Sequence, residues 1–260
     1  PKPEQKSSLS EDLKDLSKNI PWIIMLVVTT LIFITLAMKG GSYVYYFENY
    51  VDKAQITAFL DPIKPYLPTF ENDTAMGLGV FNGGGILIGL IGIMWSKKLA
   101  DKFGKRNVFM ASLFVSTLFI LVFYFYPPQS VGLMFLTQIL HMFFYGISTP
   151  ILWTMIADVA DYSEWKNNRR ATAIIFAAMM IGLKGGLSIG SALLTKILNI
   201  FDYQPGSTTG QSAETINGIK MLVSVFPSIS FFIAFGLLFF YEINKNMEGQ
   251  IQSDLEKRRG

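Results

Sequence analysis

The sequence predicts an all-α integral membrane protein with six transmembrane helices. The composition is the first reason: 51% of the 260 residues are hydrophobic and 16% are charged, where soluble domains are about 25% charged. Mean hydropathy is +0.38. The second reason is six apolar runs, roughly 21–47, 74–96, 107–126, 131–158, 171–200 and 216–241. Each matches the length of about 20 residues that crosses a hydrocarbon core at about 1.5 Å per residue. The third is that Lys and Arg alternate between connections. The N-terminal segment, 97–106, 161–170 and the C-terminal tail together hold sixteen. The intervening connections and their span ends hold four: Lys53, Lys64, Lys196 and Lys220. The positive-inside rule then places both termini in the cytoplasm of a multi-pass protein of the cell (inner or plasma) membrane.

Residues 1–20 read as a polar cytoplasmic linker. Ser8 and Glu11 have capping-box spacing, and Leu9, Leu13, Leu16 and Ile20 share one helical face, which predicts a short amphipathic helix on the membrane surface. A disordered tail is the alternative. The chain begins Pro-Lys-Pro without a signal pattern, and it reads as a segment of something longer. The six-span bundle is expected over 21–243 and a polar cytoplasmic tail over 244–260. In the long connection 48–73, Pro62, Pro65 and Pro68 argue against regular helix. This segment is expected either to cap the mouth of a cavity or to be an insertion without a role. Pro150 and Pro227 are expected to kink their spans.

Composition also excludes chemistry. Cysteine is absent and His141 is the sole histidine. No disulfide framework, thiolate nucleophile or multi-histidine metal site is available, so no metal or resident cofactor is expected. No carboxylates are paired inside a span, which argues against an integral-membrane enzyme. The expected partners are a small molecule and the lipid bilayer, with no nucleic acid.

Polar residues inside the spans are the candidates for function. Lys184 lies near the middle of the fifth span, where a charge costs at least about 2.5 kcal/mol. Ser188, Ser191 and Thr195 follow it at i+4, i+7 and i+11, on the same face. In the fourth span, Gln138, His141, Tyr145, Thr149 and Trp153 form a second stripe. These two faces are expected to turn inward, toward each other or toward water. Hydroxyls, an amide, an imidazole, an indole and an ammonium suit a sugar, with aromatic planes against its apolar faces. Hydrogen bonding between helices is the alternative for the hydroxyls. Lys39 precedes Gly40-Gly41 and the aromatic run Tyr43, Tyr45, Tyr46, Phe47; the glycine pair is expected to loosen the first span. Snorkelling to the interface is the other reading of Lys39. Asn82-Gly83-Gly84-Gly85, Gly89 and Gly92 predict close helix packing, because a phosphate loop needs a strand–turn–helix setting that is missing.

Four stretches carry a family resemblance. LADKFGKR, with Asp101, Lys102, Gly104, Lys105 and Arg106, resembles the D-[RK]-x-G-[RK]-[RK] loop signature of the major facilitator superfamily. Residues 148–194, with their A-D-x-x-D-Y-x-E-W-K core, resemble the tenth and eleventh helices of the glycoside–pentoside–hexuronide:cation symporter family, to which the melibiose permease belongs. KGGSYVYYFENYV, residues 39–51, and LSKNIPW resemble that family's seventh helix and its entry. The resemblance implies the C-terminal half of a twelve-helix cation-coupled sugar or glycoside symporter. It implies a sugar- and cation-linked role for Lys184, and an inner gate formed by Asp158, Asp161, Glu164 and Arg170. The melibiose permease has a sugar-contacting Trp where this chain has Thr149, with Trp153 one turn further. A co-transported sodium or proton is expected to bind mainly in an N-terminal six-helix half, since the family's cation-site carboxylates lie there. The other readings are a lipid or lysolipid carrier of the same fold, or a half-protein acting as a structural subunit.

Overall fold

The computed structural model describes residues 16–168, 171–207 and 209–259. Among them are nine α-helices: α1 (Ile20–Asn49), α2 (Lys53–Leu60), α3 (Asp73–Phe103), α4 (Lys105–Val122), α5 (Val131–Asn167), α6 (Thr172–Ile200), α7 (Ala213–Val223), α8 (Val225–Leu237) and α9 (Lys245–Arg259). Six stretches are long and apolar enough to cross a membrane: Ile20–Asn49, Asp73–Phe103, Lys105–Phe125, Val131–Asn167, Thr172–Ile200 and Ala213–Phe240. They match the six predicted spans in number and order. This is an all-α, multi-pass membrane fold.

Local chemistry sets the boundaries. The side chain of Asn19 accepts from the Trp22 amide at 3.0 Å, and Pro21 occupies the first turn of α1. Asp52, Asn72 and Ser212 cap α2, α3 and α7 in the same way, satisfying amide groups that have no partner within the helix. Gly104 joins α3 to α4 at φ +85°, a conformation that a side chain would strain. The sixth span breaks at Ser224, between α7 and α8. Pro227 accounts for the break: it lacks an amide hydrogen, and its ring crowds the carbonyl four residues back, that of Val223. Pro150, by contrast, sits inside a helix that runs unbroken through it.

Small residues let helices approach closely. A Cβ on Gly92 of α3 would lie 2.2 Å from the Phe143 carbonyl oxygen of α5, and one on Gly146 of α5 would lie 2.2 Å from that of Gly89. On the other side of the bundle, Gly186 and Gly190 of α6 press against the Thr30 and Ile34 carbonyls of α1. Backbone contact this close replaces the hydrophobic drive that lipid removes. The predicted packing role therefore holds at Gly85, Gly89 and Gly92, whereas Gly83 and Gly84 face open space.

Several expectations need correction. The segment 48–73 contains the helix α2, which ends before Pro62; only the part after it is irregular apart from a 3₁₀ turn, Lys64–Tyr66. Ile56 and Leu60 of α2 are buried, and Phe59 packs on Phe135 of α5 with ring centroids 4.7 Å apart. The segment thus covers the end of the bundle opposite the basic connections. Gly40-Gly41 leaves α1 unbroken, because the backbone ladder continues through both. Of the N-terminal amphipathic face, Leu16 is buried in the core and Ile20 is exposed, while residues 1–15 lie outside the described residues. The tail is the helix α9, with Ile251 and Leu255 buried.

The core divides into two apolar clusters. One, toward the basic connections, includes Met25, Phe109, Met155 and Tyr241. The other, toward α2, includes Tyr43, Tyr46, Phe47, Phe81 and Phe123. Between them lies a buried polar layer of Thr35, Lys39, Ser116, Gln138 and His141.

Candidate functional site

The polar layer opens into a cavity of about 220 Å³ walled by α1, α3, α4, α5 and α8. Helix α1 supplies Thr35, Lys39 and Tyr43, α3 supplies Asn82 and Ile86, and α5 supplies Gln138, His141 and Tyr145; Phe231 of α8 closes the wall. Spacing on α5 explains its share, since positions 138, 141 and 145 lie on one face. The same logic puts 35, 39 and 43 of α1 opposite them.

The contacts are specific. Lys39 Nζ meets His141 Nε2 in a short hydrogen bond. With Lys39 as an ammonium, which has only donors, Nε2 is assigned as the acceptor and the imidazole proton to Nδ1. Nδ1 lies 2.8 Å from the Ser116 hydroxyl and 3.1 Å from the Ser116 carbonyl oxygen, either of which accepts that proton. The Lys39 ammonium also lies 5.3 Å from the centre of the Tyr43 ring, in cation–π range. The Tyr43 hydroxyl donates to Gln138 Oε1 at 3.0 Å, which turns the Gln138 amide nitrogen to other partners. Tyr145 stacks between His141 and Phe231, at 6.0 and 6.2 Å. No carboxylate lines the cavity among the described residues. Such a site offers donors, an ammonium and an aromatic plane within an apolar bundle, and a small polar molecule needs these to leave water.

The predicted residues distribute unevenly. Lys39, His141 and Tyr145 come together. Lys39 is 6% exposed, so it points into the bundle and does not snorkel. Thr149 and Trp153 do not line the cavity: the Thr149 hydroxyl donates to its own helix at Tyr145 O, 3.0 Å away, and Trp153 packs against the apolar core. Lys184 is exposed, with Ser188, Ser191 and Thr195 beside it. Their hydroxyls donate to carbonyls one turn back, at 3.0 to 3.2 Å. The two stripes therefore do not face each other. The glycine face of α6 is committed to α1, which turns the Lys184 face out of this six-helix unit.

A second polar cluster lies at the basic end. Lys105 contacts both carboxylate oxygens of Asp158 at 2.6 Å and reaches Glu248 of α9 at 3.4 Å. Arg106 donates to the carbonyls of Leu238 and Phe239, at 3.1 and 2.7 Å, and so caps the end of the sixth span. Lys245 donates to the Asp101 carbonyl at 2.6 Å. The Trp165 indole donates to Asp254 at 3.0 Å, and Arg258 donates to the Trp165 carbonyl at 2.9 Å. Asp161 and Glu164 lie on the same end of α5, half-buried, and Arg170 lies outside the described residues. Sequence reasoning missed Ser116, a hydroxyl in an apolar run beside Ser112 and Thr117, and took Asn82 only as the start of a glycine packing motif. It also missed the pairing of Lys105 with Asp158, which are far apart in the chain.

A family profile described as "MFS/sugar transport protein" matches residues 65–245, more than half of the chain. The chain belongs to the MFS/sugar transport protein family. It is similar to the "Putative glycoside/cation symporter YagG" of Escherichia coli (strain K12), 27% identical over 254 residues that cover 97% of this chain and 50% of that protein. It is also similar to the "Isoprimeverose transporter" of Lactiplantibacillus pentosus, 25% identical over 256 residues, 96% of this chain and 47% of that protein. The "Glucuronide carrier protein homolog" of Escherichia coli (strain K12) is 22% identical over 198 residues, 75% of this chain and 42% of that protein. These relatives agree with the glycoside–pentoside–hexuronide:cation symporter resemblance of residues 148–194, and the names they carry are those of transporters. The chain spans about half the length of the curated relatives it matches.

Proposed function

We propose that this chain is the six-helix, C-terminal half of a cation-coupled sugar or glycoside symporter, and that the Lys39–His141 cavity is part of its solute site. The observation that carries the reading is a buried ammonium, imidazole and amide set around one cavity in a bundle otherwise built to meet lipid. Keeping such groups in a membrane costs free energy, and polar sites of this kind mark solute pathways. The partner would be an N-terminal six-helix half, with the solute held between the two. Lys184 and its hydroxyl stripe would face that half or the central pathway, and the sodium or proton would bind mainly in the partner half. Both termini would be cytoplasmic. Asp158, Asp161, Glu164 and Arg170 would contribute to an inner gate, with Lys105 as the partner of Asp158 while it is closed.

The test is uptake of labelled glycosides by the native protein in proteoliposomes, with sodium, proton or no gradient imposed. Gradient-driven accumulation is expected. Transport of lysolipid with no competition from free glycosides would favour the lipid-carrier reading. Absence of transport with a stable six-helix product would favour a structural subunit.

A further inference from the structure

We propose that the groove between α3 and α4, at the basic end of the bundle, binds one anionic phospholipid. Its phosphate sits at Lys98 and Lys102, and one acyl chain fills the cavity beside Ser112.

A second cavity, of about 390 Å³, lies among α3, α4 and α5. Leu99 and Phe103 of α3, Val108 and Val115 of α4, and Phe144 and Ile147 of α5 wall it. None of these residues lines the Lys39–His141 cavity. Helix α4 packs on α3, α5 and α8, whereas α6 packs chiefly on α1. The groove therefore lies on the side of the bundle away from the Lys184 face, and its rim residues Phe103 and Ala111 are exposed. An apolar hollow inside a span takes an apolar chain in preference to water.

The mouth of the groove is basic. The Lys102 ammonium lies 5.1 Å from the centre of the Phe103 ring, which is part of the wall. The Lys98 ammonium lies 5.3 Å from the centre of the Trp95 ring, on the same helix. Both lysines are exposed, and neither forms an ion pair among the described residues. Their neighbours are committed elsewhere: Lys105 to Asp158, and Arg106 to the Leu238 and Phe239 carbonyls. Lys97, Lys98 and Lys102 outnumber Asp101, the carboxylate of that stretch. Basic residues with aromatic rings at a span end match the level of lipid headgroups, and basic pockets between spans hold anionic ones.

Ser112 favours a lipid over a soluble anion. It is 5% exposed and lines the cavity, and its hydroxyl has no hydrogen bond among the described residues. Ser116 and Thr117 of the same helix are both bonded. An unbonded hydroxyl in an apolar cavity is costly. Ser112 lies about 7.5 Å further along α4 than Asn107, at five residues of helical rise from the mouth. A glycerolipid carries its ester carbonyls inside its phosphate, where the Ser112 hydroxyl donates to one.

The test is photolabelling of the native protein in phosphatidylcholine nanodiscs. Two trace probes carry the same diazirine on one acyl chain, one a phosphatidylglycerol and the other a phosphatidylcholine, and labelled peptides are mapped by mass spectrometry. Label on 99–115 and 144–147, relative to the exposed α8 face at Ile229 and Ile233, should be at least about fivefold higher with the anionic probe, since each surface lysine adds to the pull on an anionic lipid. Lys98→Gln with Lys102→Gln should bring that ratio toward one without changing the melting temperature. Ala111→Phe, which fills the exposed rim, should remove the groove label of both probes. Equal labelling by the two probes would overturn the anionic headgroup. Even labelling of the groove and the α8 face would mean surrounding lipid only and overturn the site. Displacement of the anionic probe by millimolar inorganic phosphate would assign the lysines to a soluble anion and overturn the lipid.

Discussion

Lys39 of α1 and His141 of α5 meet Nζ to Nε2 across one cavity, in the layer between the two apolar clusters of the bundle. The two helices must therefore be docked in this register for either side chain to be satisfied, and the pair ties the fold to the site.

Removing one member of the pair should hurt more than removing both. His141→Leu leaves Lys39 buried without its acceptor, at a cost of about 1–3 kcal/mol. The double variant Lys39→Met with His141→Leu replaces both by apolar groups and should recover part of that loss. Thermal melting of the purified native protein in detergent checks this; equal melting of the single and double variants would contradict it.

Packing at α3–α5 should tolerate no side chain. Gly92→Ala places a methyl against the Phe143 carbonyl and should cost about 1–3 kcal/mol by overpacking. Gly83→Ala meets open space on the same helix and should be near neutral. Membrane yield and melting temperature of the two variants provide the comparison.

The Lys105–Asp158 pair is mostly buried, with 23% and 12% of the side chains exposed, so leaving either charge without its partner is costly. Asp158→Lys should place two cations together and reduce transport. Adding Lys105→Asp restores an opposite-charge pair and should recover part of the rate. Failure of the swap to exceed the single variant would place Asp158 outside any gate.

Outside the spans, Lys64 donates to Asp73 at 2.8 Å, and that hydrogen bond holds the Lys64 ammonium above its ordinary value. A raised folded value means that the contribution is fully present at neutral pH and is lost only as the pH rises through the folded value, in the alkaline range. Both groups are solvated, so Asp73→Asn should leave melting at neutral pH unchanged within error. A clear drop at pH 7 would contradict this.

The orientation proposed from the charge distribution is open to direct measurement. The 260 residues contain no cysteine. Single cysteines at Thr69 and at Asn246, in a native protein whose other cysteines have been replaced, should be modified by an impermeant maleimide from the outside and from the inside respectively. The reverse pattern would invert the topology.

The spans were legible because lipid imposes length and hydropathy on every crossing helix, and six runs met both conditions. Half of the cavity was legible for a related reason: His141 and Tyr145 stand out as a polar stripe at helical spacing on an apolar helix. Lys184 carried an equally strong signal, but sequence periodicity shows that a face is polar without showing which neighbour it meets. The glycines of α6 decided that, by claiming α1 for the opposite face. Ser116 was invisible because hydroxyls in an apolar run, here Ser112, Ser116 and Thr117, match ordinary helix back-bonding, and only the approach of α5 makes Ser116 a partner of His141. The helix α2 was missed because Pro62, Pro65 and Pro68 dominate the segment, although Asp52 has the chemistry of a cap eight residues before the helix ends.

The central claim is that solute binds in the cavity beside Lys39. Alkylation of Ile86→Cys, at the exposed edge of the cavity wall, by a permeant maleimide tests it most directly, with Ile181→Cys on the exposed face of α6 as the control. A glycoside that the native protein transports should slow labelling at position 86 several-fold and leave position 181 unchanged. Equal labelling at position 86 with and without a saturating glycoside would place the solute site elsewhere.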